Sequence, residues 1–358
     1  MDEQQYELDT LWEAIRDRKG SDVYIVPGAR VTAKVNDLMS PLSEQKLTLR
    51  ECEALIRQIY EQADHRPMDR LLNEGDDDFS FGLAHLGRFR CNAFKQRGTL
   101  AAVLRVVPFD LPKAEALHIP EAVLNLSHKR RGLVLVTGPA GSGKTTTLAC
   151  IIDKINTETS GHIITLEDPI EYIHPHKQCL VTQREIENDT KTFAHALRAA
   201  LRQAPDVILL GEMRDFETIQ TALTAAETGH LLLSTLHTTG ASKTIDRIID
   251  VFPASQQQQV RVQLSMVLQA VVSQQLIPTV DGSIVPAFEV MVVDNAIANM
   301  IREGKVHQMD NVIYAGASQG MVTMDSDLLR LYKAGRISRE NALMYAINPD
   351  LLSKRLGQ

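Results

Sequence analysis

The segment Gly138-Pro139-Ala140-Gly141-Ser142-Gly143-Lys144-Thr145 places three glycines, a lysine and a hydroxyl at a spacing suited to holding a polyphosphate. Gly138, Gly141 and Gly143 let the backbone turn closely enough for its amides to face phosphate oxygens. Lys144 can then bridge the outer phosphates. Thr145 can give an oxygen to magnesium, and Thr146 falls in the first turn of a helix whose amino end favours an anion. The spacing G-x-x-x-x-G-K-T directly after an apolar strand is a strong signature of a nucleoside-triphosphate loop. A glycine-rich turn followed by a solvated lysine is the weaker account. No Asn-Lys-x-Asp segment offers guanine recognition, so ATP is the expected nucleotide.

Hydrolysis also needs a group that aligns water with the terminal phosphate. The run Val207-Ile208-Leu209-Leu210 delivers Gly211-Glu212 to a strand end, where a carboxylate can order water, or magnesium through a water. Glu212 is the preferred general base, with Thr145 and Glu212 as the groups nearest any metal. Asp206, before that strand, reads as a cap or loop residue. A second acidic group, Glu167-Asp168-Pro169-Ile170-Glu171, follows the strand Ile163 to Leu166. Glu167 can position water or magnesium, and Asp168 or Glu171 can hold the surrounding shell; on spacing alone their roles are interchangeable, and a structural turn fixed by Pro169 is the other account. His230 and His237 flank the strand at Leu231 to Thr235. Either can sense phosphate through a hydrogen bond, and either can be a satisfied loop group instead.

These groups require strands that end together. Leu133 to Thr137, Ile163 to Leu166, Val207 to Leu210 and Leu231 to Thr235 are continuous apolar runs, each flanked by helical patterns. Buried strands alternating with helices predict an α/β core with ligands at the strand carboxyl ends. The chain after about residue 255 reads as mainly helical, with Gln256 to Gln259 on a polar helix face. Upstream, Leu8, Leu11, Trp12 and Ile15 predict an amphipathic helix over Leu8 to Lys19, and Leu49 to Tyr60 a second. Strands are expected at Val23 to Val26, Phe79 to Phe81, Arg88 to Phe94 and Leu100 to Val107. The expected division is a small α+β domain over 1–107, a proline-punctuated linker over 108–120, and the α/β domain with its helical C-terminal part over 121–358.

With 358 residues the chain has room for two such domains. Its 38 basic and 45 acidic residues give a formal charge of -7, and no long basic run marks a nucleic-acid surface, so no nucleic-acid partner is expected. No apolar stretch approaches the roughly 20 residues needed to cross a bilayer, and the start is acidic and polar; a cytoplasmic location is expected. The four cysteines are widely separated and read as buried free thiols rather than metal ligands.

Taken together with the loop, the segments Ile164 to Glu171, Leu210-Gly211-Glu212-Met213-Arg214-Asp215 and Thr228 to Thr238 resemble the Walker A, Asp box, Walker B and His box of the PilT family, the type IV pilus retraction ATPases among the secretion ATPases. The resemblance covers nearly the whole chain. It implies a PAS-like N-terminal α+β domain, a RecA-like P-loop ATPase domain and assembly as a homohexamer. It implies an ATPase, converting ATP and water to ADP and phosphate with Mg2+, that works as a mechanochemical motor for pilus retraction and twitching motility. It implies peripheral attachment at the inner-membrane pilus base, through a platform protein and alongside a paralogous retraction ATPase. Glu212 takes the position of the catalytic glutamate and His237 that of the phosphate-sensing region.

The resemblance also brings arginines of the first domain toward nucleotide, and Arg88, Arg90 and Arg105 lie in the matching strands; a pair of guanidinium groups there would neutralise charge on the phosphates. Solvated strand arginines or interface salt bridges are the other account. Ala296 to Glu303 resembles the segment Ala-Ile-Arg-Asn-Leu-Ile-Arg-Glu of retraction motors, with Ala298 in place of the first arginine and Met300 in place of leucine. Extension and type II secretion motors are longer and carry a four-cysteine metal insert that this chain lacks. A type II secretion or conjugation motor, and a low-turnover nucleotide-dependent regulatory module, are the competing functions.

Overall fold

The computed structural model describes residues 8–18, 20–35, 38–83, 87–107 and 111–357. The chain divides into two units: Met1–Asp110 with Pro169–Ile173, and Leu111–Asp168 with His174–Gln358. The acidic start, Lys19 and Pro108 lie outside the described residues.

The first unit pairs helices with one antiparallel sheet. Helix α1 (Leu8–Asp17) buries Leu8, Leu11, Trp12 and Ile15, the one face that its apolar spacing marks out. Strands β1 (Asp22–Ile25), β2 (Thr32–Val35) and β3 (Leu38–Pro41) are followed by α2 (Leu49–Gln62) and α3 (Asp69–Glu74), then β4 (Asp76–Leu83), β5 (Gly87–Gln96) and β6 (Thr99–Val107). The sheet order is β3-β2-β1-β6-β5-β4. Thr48 starts α2 through a reciprocal pair of bonds with Glu51, and the helix buries Cys52, Leu55, Ile56, Ile59 and Tyr60. Trp12 lies tilted against Phe89 at 4.7 Å between ring centroids and donates its indole N–H to Gln62. Beneath them Asp77, fully buried, accepts from the Tyr60 hydroxyl and from two nitrogens of Arg66, each at 2.9 Å.

The second unit opens with a short helix α4 (Glu121–Leu124) and then follows the strand-helix alternation read from the sequence. Strands β7 (Gly132–Thr137), β8 (Gly161–Glu167), β9 (Cys179–Glu185), β10 (Val207–Leu210) and β11 (Leu231–Leu236) interleave with α5 (Lys144–Glu158), α6 (Phe193–Ala200) and α7 (Phe216–Glu227). Beyond them come α8 (Ala241–Asp250), α9 (Ala254–Val267), β12 (Leu268–Pro278), β13 (Ile284–Val292) and helices α10 (Asn295–Glu303), α11 (Met309–Ala315), α12 (Met324–Lys333), α13 (Arg339–Met344) and α14 (Pro349–Leu356). The sheet order is β13-β12-β7-β11-β10-β8-β9, parallel except for β13 against β12. One face packs on α5 through Val134, Val136, Leu209 and Leu233; the other packs on α6 to α10 through Leu133, Leu135, Ile208 and Leu232. Alternate residues of each strand serve opposite layers, which is why these runs are apolar throughout.

The region after residue 255 is mainly helical, as expected, but it also carries two strands that the sequence did not mark: β12 and β13 extend the sheet beside β7 with largely buried runs. One expectation needs correction. The segment 111–120 is no free linker, since Leu111, Ala114, Leu117 and Ile119 pack into the layer under α5. Among the described residues the N-terminal sheet has six strands, including β2 and β3, which the sequence did not mark and which pair beside β1. All four cysteines are buried and free. Among the described residues no helix is long and apolar enough to cross a membrane.

Candidate active site

Strand register decides what meets. Thr137 at the end of β7 pairs with Leu236 at the end of β11, Ser234 lies level with Leu210 at the end of β10, and Leu210 with Leu166 of β8. The phosphate loop, His237, Glu212 and Glu167 therefore leave four adjacent strands at one sheet edge.

The loop is shaped by glycines in backbone states closed to other residues: φ is +140° at Gly138 and +84° at Gly143. A Cβ on Gly138 would lie 2.1 Å from the carbonyl oxygen of Gln274, and one on Gly143 would lie 2.9 Å from the Gln274 side-chain nitrogen. Pro139 and Ala140 form the exposed tip, while Ser142 is buried with its hydroxyl unpartnered. Lys144 is buried and its Nζ donates to the carbonyls of Gly138 (3.0 Å) and Pro139 (2.8 Å), so the ammonium is folded onto the loop itself. Helices α6, α7, α10 and α12 are each capped by a side chain of their own N-cap residue. Helix α5 follows Gly143, which offers no side-chain acceptor of its own, so its amino end is suited to an anion.

Gln274 is the residue of this cradle that sequence reasoning missed. It sits on β12, is buried, and accepts from the Thr147 hydroxyl at 2.7 Å. No local motif marks it; only the pairing of β12 with β7 brings it under the loop.

Glu167 is buried, and the same carboxylate oxygen accepts from Thr165 Oγ1 at 2.6 Å and from Gln183 Nε2 at 3.3 Å. Asp168 follows it, exposed. Glu212 follows Gly211, whose N–H donates to Leu166 and whose carbonyl accepts from Thr235 Oγ1. A side chain at Gly211 would press on Leu166 and the Phe193 ring, so glycine there lets β10 and β8 run close together. The Glu212 carboxylate meets Arg214 Nε at 2.6 Å and His237 Nε2 at 3.4 Å.

The structure separates His230 from this cluster within the chain. His230 precedes β11, its carbonyl accepts from Gly132 at the start of β7, and its ring contacts the carbonyl of Ala225 and the Thr228 hydroxyl. Six residues of strand lie between it and the phosphate-loop edge, about 20 Å at roughly 3.3 Å per residue. Glu171 belongs with the first unit. In that unit Arg90 lies directly across from Arg105, and Arg88 shares their strand face two residues on. Arg90 pairs with Asp78 at 3.1 Å on the surface, and the exposed Arg105 pairs with the buried Asp22 at 3.0 Å. The segment Ala296 to Glu303 forms most of α10, capped by Asp294, with Ile297 and Ile301 buried and Arg302 bonded to Asn299.

Among the described residues no group of three or more His, Cys, Asp or Glu side chains could cage a metal alone. The glycine cradle and the unpaired Ser142 hydroxyl fit a triphosphate, with Thr145 in the first turn of α5 as the hydroxyl able to reach its metal.

Comparison with known proteins gives the same direction. The family model for type II/IV secretion system proteins matches residues 8–341. The chain is 47% identical over 330 residues to the type IV pilus retraction ATPase PilT of Pseudomonas aeruginosa, covering 92% of this chain and 95% of that one. It is 40% identical over 341 residues to the type IV pilus ATPase PilU of the same organism, covering 95% and 88%. A crystal structure of the pilus retraction motor PilT with bound ADP superposes with a TM-score of 0.89 at 45% identity, covering 97% of this chain and 98% of that one.

Proposed function

The chain belongs to the type II/IV secretion system protein family, and on that premise we propose that it is the ATP-driven motor of type IV pilus retraction. Its fold is that of a RecA-like P-loop ATPase preceded by an α+β domain, and its activity is ATP hydrolysis. The observation that carries the reading is the convergence of the phosphate loop, Glu167, Glu212 and His237 at one edge of the sheet. The likeness to PilT over 92% of the chain supplies the direction of the work.

In the proposed cycle the loop amides and the amino end of α5 hold the triphosphate, and Lys144 leaves the loop carbonyls to bridge its outer oxygens. Magnesium, when bound, neutralises phosphate charge, with Thr145 as its protein ligand and Glu212 ordering it through water. Glu212 takes the proton of the attacking water; Glu167, fixed by Thr165, and Asp168 hold the shell around it. His237 senses the terminal phosphate. In this reading the site is completed by Arg88, Arg90 and Arg105 of a PAS-like first domain, Arg90 and Arg105 exchanging Asp78 and Asp22 for phosphate as the domains close.

Six copies form the ring, and closure around it turns a platform protein at the inner membrane, where the motor is peripherally attached. Imaging labelled pili in cells lacking this chain tests the proposal. Pili that extend but do not retract, restored by the natural chain and not by Glu212→Gln, support it. Absent pili or an unchanged pilus cycle would overturn it in favour of assembly or another secretion system.

A further inference from the structure

Two neighbouring residues of β12 grip two different parts of the site from opposite faces of the sheet. Gln274 faces α5, where its amide oxygen accepts from Thr147 at 2.7 Å and its backbone carbonyl fills the space beside Gly138. Ser273 faces the other layer, where its hydroxyl accepts from Gly240 N at 2.9 Å. Gly240 begins α8, three residues after His237, and contributes no side-chain cap. The next N–H, of Ala241, donates to Glu289 at 2.7 Å, and Glu289 lies directly across from Ser273 on β13. Both Ser273 and Glu289 are buried, and the second carboxylate oxygen of Glu289 accepts from Met324 N at the start of α12. The turn after His237 is therefore held by side chains of β12 and β13, the strands that extend the sheet beside β7.

We propose that Ser273 and Gln274 are positioning residues for ATP turnover, Gln274 setting the phosphate loop and Ser273 setting the turn that carries His237. Successive strand residues point to opposite faces, so one peptide of β12 fixes the separation of the two parts. Neither side chain need touch nucleotide. Gln274 acts on binding through the loop. Ser273 acts on the chemical step through His237 and its contact with Glu212. The idea rests on the ATPase reading above and adds two residues to it.

The test uses the full chain with Mg2+ and ATP, measuring kcat, KM, nucleotide affinity and melting temperature. Gln274→Leu should weaken nucleotide affinity about tenfold, and Ser273→Ala should lower kcat about tenfold with affinity within twofold. Leucine at 274 also strands the Thr147 hydroxyl, so Thr147→Val is combined with it. Removing both partners restores the buried match. The double variant should regain melting temperature without regaining affinity. Recovery of both, or equal changes in kcat and KM in the two single variants, would overturn the proposal. Lys144→Ala run in parallel separates the failures: if it turns over ATP like the natural chain, the ATPase site itself is misassigned.

Discussion

The guanidinium of Arg214 reaches back two residues to Glu212, with Nε 2.6 Å from Oε2, and His237 Nε2 faces the same oxygen at 3.4 Å. The proposed base is thus held between two nitrogen groups, one from its own loop and one from the adjacent strand end. Glu212→Gln should retain nucleotide binding and lose at least about a hundredfold in kcat, because the carboxylate alone can take the proton. The Arg214 side chain is 72% exposed. An ion pair so placed contributes at most about 1 kcal/mol, so Arg214→Gln should cost less than about tenfold. Steady-state hydrolysis of the two variants side by side checks the ranking, and a larger loss in Arg214→Gln would reverse the roles.

Gly138 and Gly141 of the loop should respond unequally to alanine. At Gly138 the new methyl would sit 2.1 Å from a backbone carbonyl, with φ at +140°, so Gly138→Ala should eliminate nucleotide binding and cost about 1–3 kcal/mol of stability. At Gly141, φ is +74° and nothing lies within 4 Å, so alanine there should cost about 1–2 kcal/mol from the left-handed backbone alone. Titration with a fluorescent nucleotide distinguishes them: binding should survive in the second variant and not in the first.

Much of this site was legible because its chemistry is local. The loop glycines, Lys144 and Thr145 are contiguous, and Glu212 and Glu167 each follow an apolar run that could only be a buried strand. Gln274 and Ser273 were not legible: their roles depend on β12 lying beside β7, a pairing between segments more than 130 residues apart that no periodicity encodes. Runs such as Val271-Val272 and Val290-Met291-Val292 were read with the helices around them, since a short apolar run has no period to separate strand from helix. His230 was misleading for the opposite reason. It stands one residue from an apolar strand, as His237 does, and only chain direction puts one at the amino edge and the other at the carboxyl edge.

In the first unit Asp77 is a buried carboxylate satisfied by Arg66 and Tyr60. The pairing holds the Arg66 guanidinium above its ordinary range, chiefly through the Asp77 hydrogen bonds. Asp77→Asn leaves a partly buried cation without its counter-charge and should cost about 3–5 kcal/mol. Urea denaturation of the full chain measures it; a loss below about 1 kcal/mol would mean that solvent already screens the pair.

His174 gives a pH dependence with a defined sign. Burial, supported by the Lys177 charge and opposed by Asp153, pushes its imidazole down to about 4 from the ordinary value of 6.5. The folded chain holds the ring neutral while the unfolded chain takes up a proton below pH 6.5. This contribution to stability is therefore complete above pH 6.5 and is lost as the pH falls toward 4, amounting to about 2–3 kcal/mol. Denaturation at pH 7 and pH 4.5 should show a smaller drop for His174→Gln than for the natural chain. Equal drops would place the acid sensitivity elsewhere.

The most direct measurement is ATP hydrolysis by the purified full chain with Mg2+, compared with Lys144→Ala, which removes the ammonium that donates to the phosphate-loop carbonyls of Gly138 and Pro139. The account predicts steady turnover by the natural chain and a loss of at least about a hundredfold in the variant, with the fold retained. Equal turnover by the two proteins would contradict it.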